Sequence, residues 1–170
     1  MPKAVFTENK PSEKWTVEKL KALGTNRLLS LYKSLPAPSV REMEGEYKGH
    51  YLGADHHPIS DFAWYAGANW TLAGNTWRWI GKSFKPISDK EGSGHNNQRK
   101  FGMRLRKWPM RTSIVSSRYD EKDAFFLDYT YYYSLAGVMH MQDEVRKLSP
   151  GLYLETSDQG DAADLPRRHR

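Results

Sequence analysis

Three residues in the last third of the chain, Tyr129, His140 and Asp143, could together carry acid–base chemistry. A histidine exchanges protons near neutral pH, and a carboxylate that burial holds partly protonated can act as a general base. A tyrosine hydroxyl can donate a hydrogen bond to an oxyanion that develops in a transition state. We therefore expect Asp143 or His140 to move a proton and Tyr129 to stabilise the resulting charge.

The segment 125–133 is expected to place Tyr129 on a strand, because it is rich in aromatic residues and follows a charged turn. Alternate residues share one face of a strand, so Tyr129, Tyr131 and Tyr133 would line one wall. Rings that carry hydroxyls suit a cavity that holds a mostly apolar small molecule. A core strand whose hydroxyls reach water at the rim is the alternative interpretation.

The next predicted strand, 138–146, has two different faces. One face carries Met139, Met141, Asp143 and Val145, and the other carries His140, Gln142, Glu144 and Arg146. Methionine fills irregular apolar spaces, so we expect the face with Asp143 to point inward. In the reverse register His140 and Glu144 would point inward. An ion pair of Asp143 with Arg78 or Arg146 is a structural alternative to catalysis.

The elements that position these residues are mostly strands. Hydrophobic alternation predicts further strands at 42–51, 76–84, 98–108, 111–118 and 152–154. Two short helices are predicted before them, one from Ser12 to Gly24 and one from Thr25 to Leu35. Residues 1–11 are expected to form a loose arm and 85–97 a polar loop.

This order of elements predicts a mainly β fold, because there is no alternation of strands and helices that would build a parallel sheet. Antiparallel strands of this number close into a barrel or pack as a sandwich. We predict one domain over 1–170, with a helical arm or lid at 1–38, a β-barrel at 39–155 and a polar tail at 156–170. A cone-shaped α+β barrel is the alternative.

The stretch Met43 to Gly49 resembles the Gly-x-Trp-x-Gly signature of calycin barrels, the lipocalin and fatty-acid-binding type, with Tyr47 at the Trp position. The resemblance covers the β part of the chain and implies a ligand cavity inside an antiparallel barrel. Trp77 and Trp79 share a strand face and could stack on an aromatic ligand, or they could be plain core residues. The full set of expected ligand contacts is Tyr47, Trp77, Arg78, Trp79, Tyr131, Tyr133, Met139 and Met141.

Composition narrows the classes of function. The 170 residues contain no cysteine, which excludes disulfide scaffolds, thiolate metal sites and cysteine nucleophiles. No phosphate-binding loop or dinucleotide motif is present, so we expect no cofactor. His56, His57 and Asp61 lack a recognised metal-ligand spacing, so no metal is expected either.

The net charge of +6 raises the question of nucleic acid. The basic run Arg99 to Arg111 alternates with apolar residues, which indicates a strand with a solvated outer face, so no nucleic-acid partner is expected. There is no apolar run long enough for a membrane span and no signal-peptide pattern, so we expect a cytoplasmic protein without a membrane partner. The sequence leaves open whether the protein forms a homo-oligomer.

Two functions remain from the sequence. The first is a cofactor-free cyclase, isomerase, lyase or dehydratase that acts on an apolar or aromatic small molecule. The second is a carrier that binds such a molecule unchanged. Both need an aromatic-lined pocket, and they differ in whether Asp143 and His140 move a proton.

Overall fold

The computed structural model describes residues 2–7, 15–52 and 78–159, and within them the side chains of 4–7, 15–52 and 78–157. Eight strands form one closed antiparallel barrel in which each strand pairs with the next and β8 pairs with β1. They are β1 Pro2–Thr7, β2 Gly45–Tyr51, β3 Arg78–Pro86, β4 Glu91–Lys100, β5 Met103–Ser116, β6 Asp123–Asp128, β7 Met141–Ser149 and β8 Leu152–Gln159. The predicted mainly β, antiparallel barrel is confirmed.

The barrel interior is packed with aromatic rings. The phenyl ring of Phe84 lies near its centre, with ring centroids at 5.4 Å from Phe125, 5.9 Å from Tyr47 and 6.4 Å from Phe6. Tilted and edge-on contacts of this kind stabilise a core beyond the area that they bury. The buried members of this cluster are Phe6, Val40, Met43, Tyr47, Phe84, Met110, Phe125, Leu127, Tyr129, Ala136, Val145 and Tyr153.

Two N-terminal helices, α1 Val17–Lys21 and α2 Thr25–Ser34, pack against the outside of the barrel. Leu28 and Tyr32 of α2 form a second cluster with Val5 of β1 and with Leu152 and Leu154 of β8. Because the neighbours Phe6 and Tyr153 point inward, these aliphatic side chains point outward. Helix α2 therefore lies along the side of the barrel, which corrects the expectation that the N-terminal helices cover one end.

The side chain of Thr16 caps α1 by accepting a hydrogen bond from the backbone N–H of Lys19. The predicted cap Ser12 lies outside the described residues. Within the described ranges, no helix is long and apolar enough to cross a membrane.

Arg146 of β7 fixes α2 to the barrel. Its guanidinium is fully buried and donates at 3.3 Å to the carbonyls of Tyr32 and Lys33, at the C-terminal end of the helix. It also pairs with both carboxylate oxygens of Asp120, one at 2.8 Å, and lies over the Tyr32 ring at 4.8 Å. The hydrogen bonds from Arg146 lower the pKa of Asp120, although burial acts in the opposite direction.

Several element boundaries differ from the sequence prediction. Residues 2–7, expected in a loose arm, form β1 because β2 and β8 pair with them on both sides. Residues 91–100, expected largely in a polar loop, form β4 because β3 and β5 pair with them on both sides. Strand β5 is continuous across the gap between the predicted strands 98–108 and 111–118, where Trp108 has φ 49° and forms a bulge beside Pro109.

The tyrosine-rich segment stops being a strand at Asp128. The Asp128 carboxylate accepts hydrogen bonds from the backbone N–H of Thr130 at 2.8 Å and from its hydroxyl at 2.6 Å. This turn, which Asp commonly forms, leads into a short helix, α3 Leu135–Val138. The predicted strands 124–133 and 138–146 are therefore Asp123–Asp128 and Met141–Ser149.

We expect Arg146→Met to lower the free energy of unfolding by about 3–5 kcal/mol at neutral pH, because Asp120 and two helix carbonyls lose the buried guanidinium that they share. The contribution of the pair is present above the unfolded pKa of Asp, about 3.9, and is lost as the pH falls through the lower folded pKa. The difference between variant and wild type should therefore shrink in acid. Urea denaturation across this range checks both statements.

Arg27→Met, on an exposed position of α2, is the matched control and should unfold like the wild type. An Arg146→Met protein as stable as this control would contradict the role of Arg146 in holding α2.

Candidate functional site

A buried ion-pair cluster crosses the inside of the barrel. The Lys82 ammonium of β3 lies 2.6 Å from Asp143 Oδ2 of β7 and 2.6 Å from Glu155 Oε2 of β8. None of the three side chains is more than 5% exposed. Strands β3 and β7 are four steps apart in a ring of eight, so this contact joins opposite walls.

Lys82 points inward because of a bulge in β3. The pairing of β3 with β4 shifts between Trp79, which is opposite Gln98, and Gly81, which is opposite Asn97. One extra residue at this point puts Trp79 and Lys82 on the same, inward face, although they are three positions apart. Gly81 has φ 142°, and a Cβ there would lie 1.9 Å from the carbonyl oxygen of Tyr47, so only glycine fits the close approach to β2.

Lys82 remains charged although it is buried. Burial by itself lowers the pKa of a lysine, but Asp143 and Glu155 more than offset this effect, and the pKa of Lys82 is raised well above its ordinary value. The ammonium also faces the rings of Phe6 at 5.4 Å and Tyr129 at 5.5 Å. Lys82 is therefore a fixed cation and a poor nucleophile, since a lysine nucleophile needs a lowered pKa.

Beside the ion pairs, three side chains form a directed chain of hydrogen bonds. Trp79 Nε1 donates to Asn96 Oδ1 at 2.8 Å, and Asn96 Nδ2 donates to Tyr129 Oη at 3.1 Å. An indole N–H can only donate, so it sets the orientation of the amide, and the amide then makes Tyr129 an acceptor. The hydroxyl proton of Tyr129 is left for a further partner.

Tyr129 keeps this proton at neutral pH. Burial raises its pKa, and the carboxylates Asp143 and Glu155 act in the same direction against the opposing effect of Lys82. A buried, protonated phenol of this kind can donate a hydrogen bond to a developing oxyanion.

Only one of the two carboxylate oxygens of Asp143 has a hydrogen-bond partner among the described residues. Oδ2 is held by Lys82, whereas Oδ1 is buried and has no hydrogen-bond partner in the part of the chain that the structure describes. A buried carboxylate oxygen without a donor is costly, so it marks a place where a ligand could donate or give up a proton. The cluster contains one ammonium and two carboxylates, so it favours a ligand that brings a hydrogen-bond donor.

The polar cluster lies toward the end of the barrel at which Trp79 and Met141 are only half-buried. The segment 129–140, with α3, covers this end: Ala136 belongs to the interior cluster, and a Cβ on Gly137 would lie 2.2 Å from the Tyr132 carbonyl oxygen. The opposite end is filled with apolar side chains such as Val40 and Met43.

The sequence-predicted site residues divide into two groups. The structure brings Tyr47, Trp79, Tyr129, Met141 and Asp143 to the interior, with Asp143, Met141 and Val145 on the inward face that the methionine pattern favoured. Tyr47 donates to the backbone carbonyl of Glu42 at 3.1 Å.

The other predicted contacts lie elsewhere. Tyr131 and Tyr133 are exposed, because the strand ends before them, and Arg78 is exposed on the outer face. Met139 and His140 lie half-buried in the turn between α3 and β7, where His140 has φ 53°. Asp143 does form an ion pair, as the structural alternative had it, but its partner is Lys82 rather than Arg78 or Arg146, and Arg146 pairs with Asp120 outside the barrel.

Trp77, His56, His57 and Asp61 lie outside the described residues. Among the residues that are described, no group of three histidine, aspartate or glutamate side chains could hold a metal ion.

Sequence reasoning missed Lys82, Asn96 and Glu155 as members of the site. The inward direction of Lys82 could have been predicted from Phe84. Phe84 must point into the core, and Lys82, two positions before it on the same strand, shares its face. Asn96 was assigned to a loop, and Glu155 follows Tyr153 at the same spacing of two.

Comparison of the chain with protein-family models, with curated proteins and with solved structures finds no match. The closed eight-stranded antiparallel barrel is compatible with a calycin-like fold.

We expect Lys82→Met to lower the free energy of unfolding by about 3–5 kcal/mol at neutral pH, because two buried carboxylates lose their shared cation. In the wild type the raised pKa of Lys82 keeps its contribution fully present below the unfolded pKa of lysine, about 10.4, and it is lost only as the pH rises through the higher folded value. In the variant the two buried carboxylates repel each other without their cation, so its stability should rise as the pH falls and the repulsion is relieved. Chemical denaturation at several pH values measures this.

Lys85→Met, exposed on the same strand, is the control. Equal stability of the Lys82 and Lys85 variants at neutral pH would show that the cluster does not hold the barrel together.

Proposed function

We propose that this protein is a cofactor-free enzyme of the isomerase, cyclase, lyase or dehydratase type, which acts by acid–base chemistry on an apolar or aromatic small molecule in the barrel. The observation that carries the proposal is the free, buried Oδ1 of Asp143 in the same cluster around Lys82 as the protonated hydroxyl of Tyr129. Kinship with calycins is part of the proposal, supported by the closed barrel and by the motif around Tyr47 on β2.

Asp143 is the proposed general base. In the isomerisation of a β,γ-unsaturated ketone, Oδ1 would take a proton from the carbon between the carbonyl group and the double bond, the electron pair of that C–H bond would form a new C=C bond, and the carbonyl π pair would move onto the oxygen. Tyr129 would donate its hydrogen bond to this oxygen, and Asp143 would return the proton to another carbon. Lys82 acts as a positioning residue, because it holds Oδ2 and so fixes the direction of Oδ1.

The interior rings would hold the apolar part of the substrate. Trp79 lies at the half-buried end with its ring 6.1 Å from that of Phe6, and Met141 lies beside the same cluster. His140, in the turn before β7, is the second candidate for moving a proton and is tested together with Asp143.

A carrier is the alternative function, favoured by one observation. Lys82 is paired with both carboxylates, so the cluster is ionised and held in place without a ligand. A ligand could then be bound by Asp143 Oδ1 and Tyr129 and released unchanged.

The test begins with native mass spectrometry of the purified protein, to identify a molecule that co-purifies. With that molecule, Asp143→Asn should lower kcat by about 10²–10⁴-fold, the usual contribution of a general base, while the dissociation constant changes little. Tyr129→Phe should also lower kcat, since it removes the donor but not the ring. Asp123→Asn, exposed at the start of β6, is the matched control and should react like the wild type.

Binding without conversion by the wild type would favour the carrier. Full turnover by both Asp143→Asn and His140→Ala would show that neither residue moves the proton.

A further inference from the structure

A groove of about 620 Å³ lies along β2 to β5, where exposed charged side chains of these strands line it. Its lining includes four cationic side chains and a single carboxylate: Lys48, Arg78, Arg99 and Arg104, with Glu46. Thr7 and Asn97 add polar atoms at its walls. Tyr47 and Trp79 also border the groove, whereas its charged residues have no part in the proposed acid–base site.

Three of the cations stand side by side on neighbouring strands. Arg78 of β3 is the register partner of Arg99 of β4, and Arg99 is the register partner of Arg104 of β5. Partners in an antiparallel sheet point to the same face, and like charges directly opposite each other are destabilising. The repulsion within the row therefore destabilises the free protein. A bound anion would offset this repulsion.

Nothing in the described ranges neutralises most of this row. Arg104 pairs with Glu46 at 2.7 Å, but Arg78 and Arg99 have no ion pair among the described residues. Their surroundings differ from those of Arg111 further along β5, which is paired with both oxygens of Glu91 at 2.8 Å. The charge of Arg78 and Arg99 is thus uncompensated among the described residues, unlike that of Arg111.

The groove is enclosed on one side by the end of the β4–β5 hairpin. The ion pair between Arg104 and Glu46 joins β5 to β2 over the two strands between them, which brings the end of the β4–β5 hairpin toward β2. The hairpin turns at Phe101 and Gly102, with φ 47° and 78°. An anion in the groove is therefore bounded on more than one side.

We propose that this groove binds a small polyanion that carries two or more phosphate groups. Strands lie about 4.8 Å apart, so the three arginines span about 10 Å, a length that suits neighbouring phosphates of one small molecule. Guanidinium groups bind phosphate oxygens in pairs, which gives both charge and direction. The volume lies within the range of about 300–1,000 Å³ that is usual for small-molecule sites.

The experiment uses the full chain and inorganic tripolyphosphate as the probe, with isothermal titration calorimetry at physiological salt. We expect one site in the wild type and an affinity at least about tenfold lower in Arg99→Gln, because hydrogen bonds to charged groups contribute enough for this factor. Arg27→Gln, which makes the same change of charge on α2, should bind like the wild type. Arg78→Gln serves as a second variant of the row.

A thermal measurement separates binding from folding. Without ligand, Arg99→Gln should melt at the same temperature as the wild type or higher, since it removes like-charge repulsion. Tripolyphosphate should raise the melting temperature of the wild type and of Arg27→Gln, but not that of Arg99→Gln.

Three results would overturn the proposal. The first is no binding by the wild type, and the second is equal affinity in Arg99→Gln and Arg27→Gln. The third is tight binding of a single-stranded oligonucleotide, with a salt dependence that reports many more phosphates than four cations can contact, which would identify a nucleic-acid surface instead.

Discussion

The contact between Lys82 and its two carboxylates is the constraint on which the interior of this barrel depends. It joins β3 to β7 and β8 across the lumen, so it sets how closely opposite walls can approach. Removing three charges from water costs several kcal/mol for each ion, and their mutual attraction only partly returns this. An apolar trio of similar volume would commonly be at least as stable, so the stability of the fold does not by itself account for this cluster.

The cluster divides the interior into two parts. Toward Val40 and Met43, rings and aliphatic side chains fill an eight-stranded barrel, whose interior is just wide enough for side chains or one small ligand. Toward Trp79 and Met141 the same barrel contains hydrogen-bonding groups and is covered by the segment with α3. A ligand could therefore enter by movement of this covering segment without disturbing the apolar end. The N-terminal helices, held on the side of the barrel by Arg146, need not move.

The sequence was sufficient for the class of fold and for the direction of Asp143, because the alternation along β2 and β7 is regular. It was insufficient where tertiary pairing overrides local preference. Residues 92–97 contain two glycines and two asparagines and resemble a loop, yet β4 needs Gly94, because a Cβ there would lie 2.7 Å from the Phe84 ring.

The bulge after Trp79 could not be predicted from alternation, and without it Lys82 is assigned to the face opposite Trp79. The tyrosine pattern failed for a local reason, since the Asp128 side chain bonds to Thr130 and ends the strand.

The charges of the two candidate sites select opposite kinds of ligand. Among the described residues, the interior cluster has two carboxylates and one ammonium, and Oδ1 of Asp143 is an acceptor without a partner. An anionic head group, such as that of a fatty acid, would be repelled there, whereas a neutral molecule with an O–H, N–H or acidic C–H group would be accepted. The outer groove, with four cations and one carboxylate, has the reverse preference. Because the two preferences exclude each other, one molecule with a phosphate group would bind outside the barrel rather than within it. The charges of the barrel interior therefore suit a neutral ligand better than a lipid that carries a carboxylate.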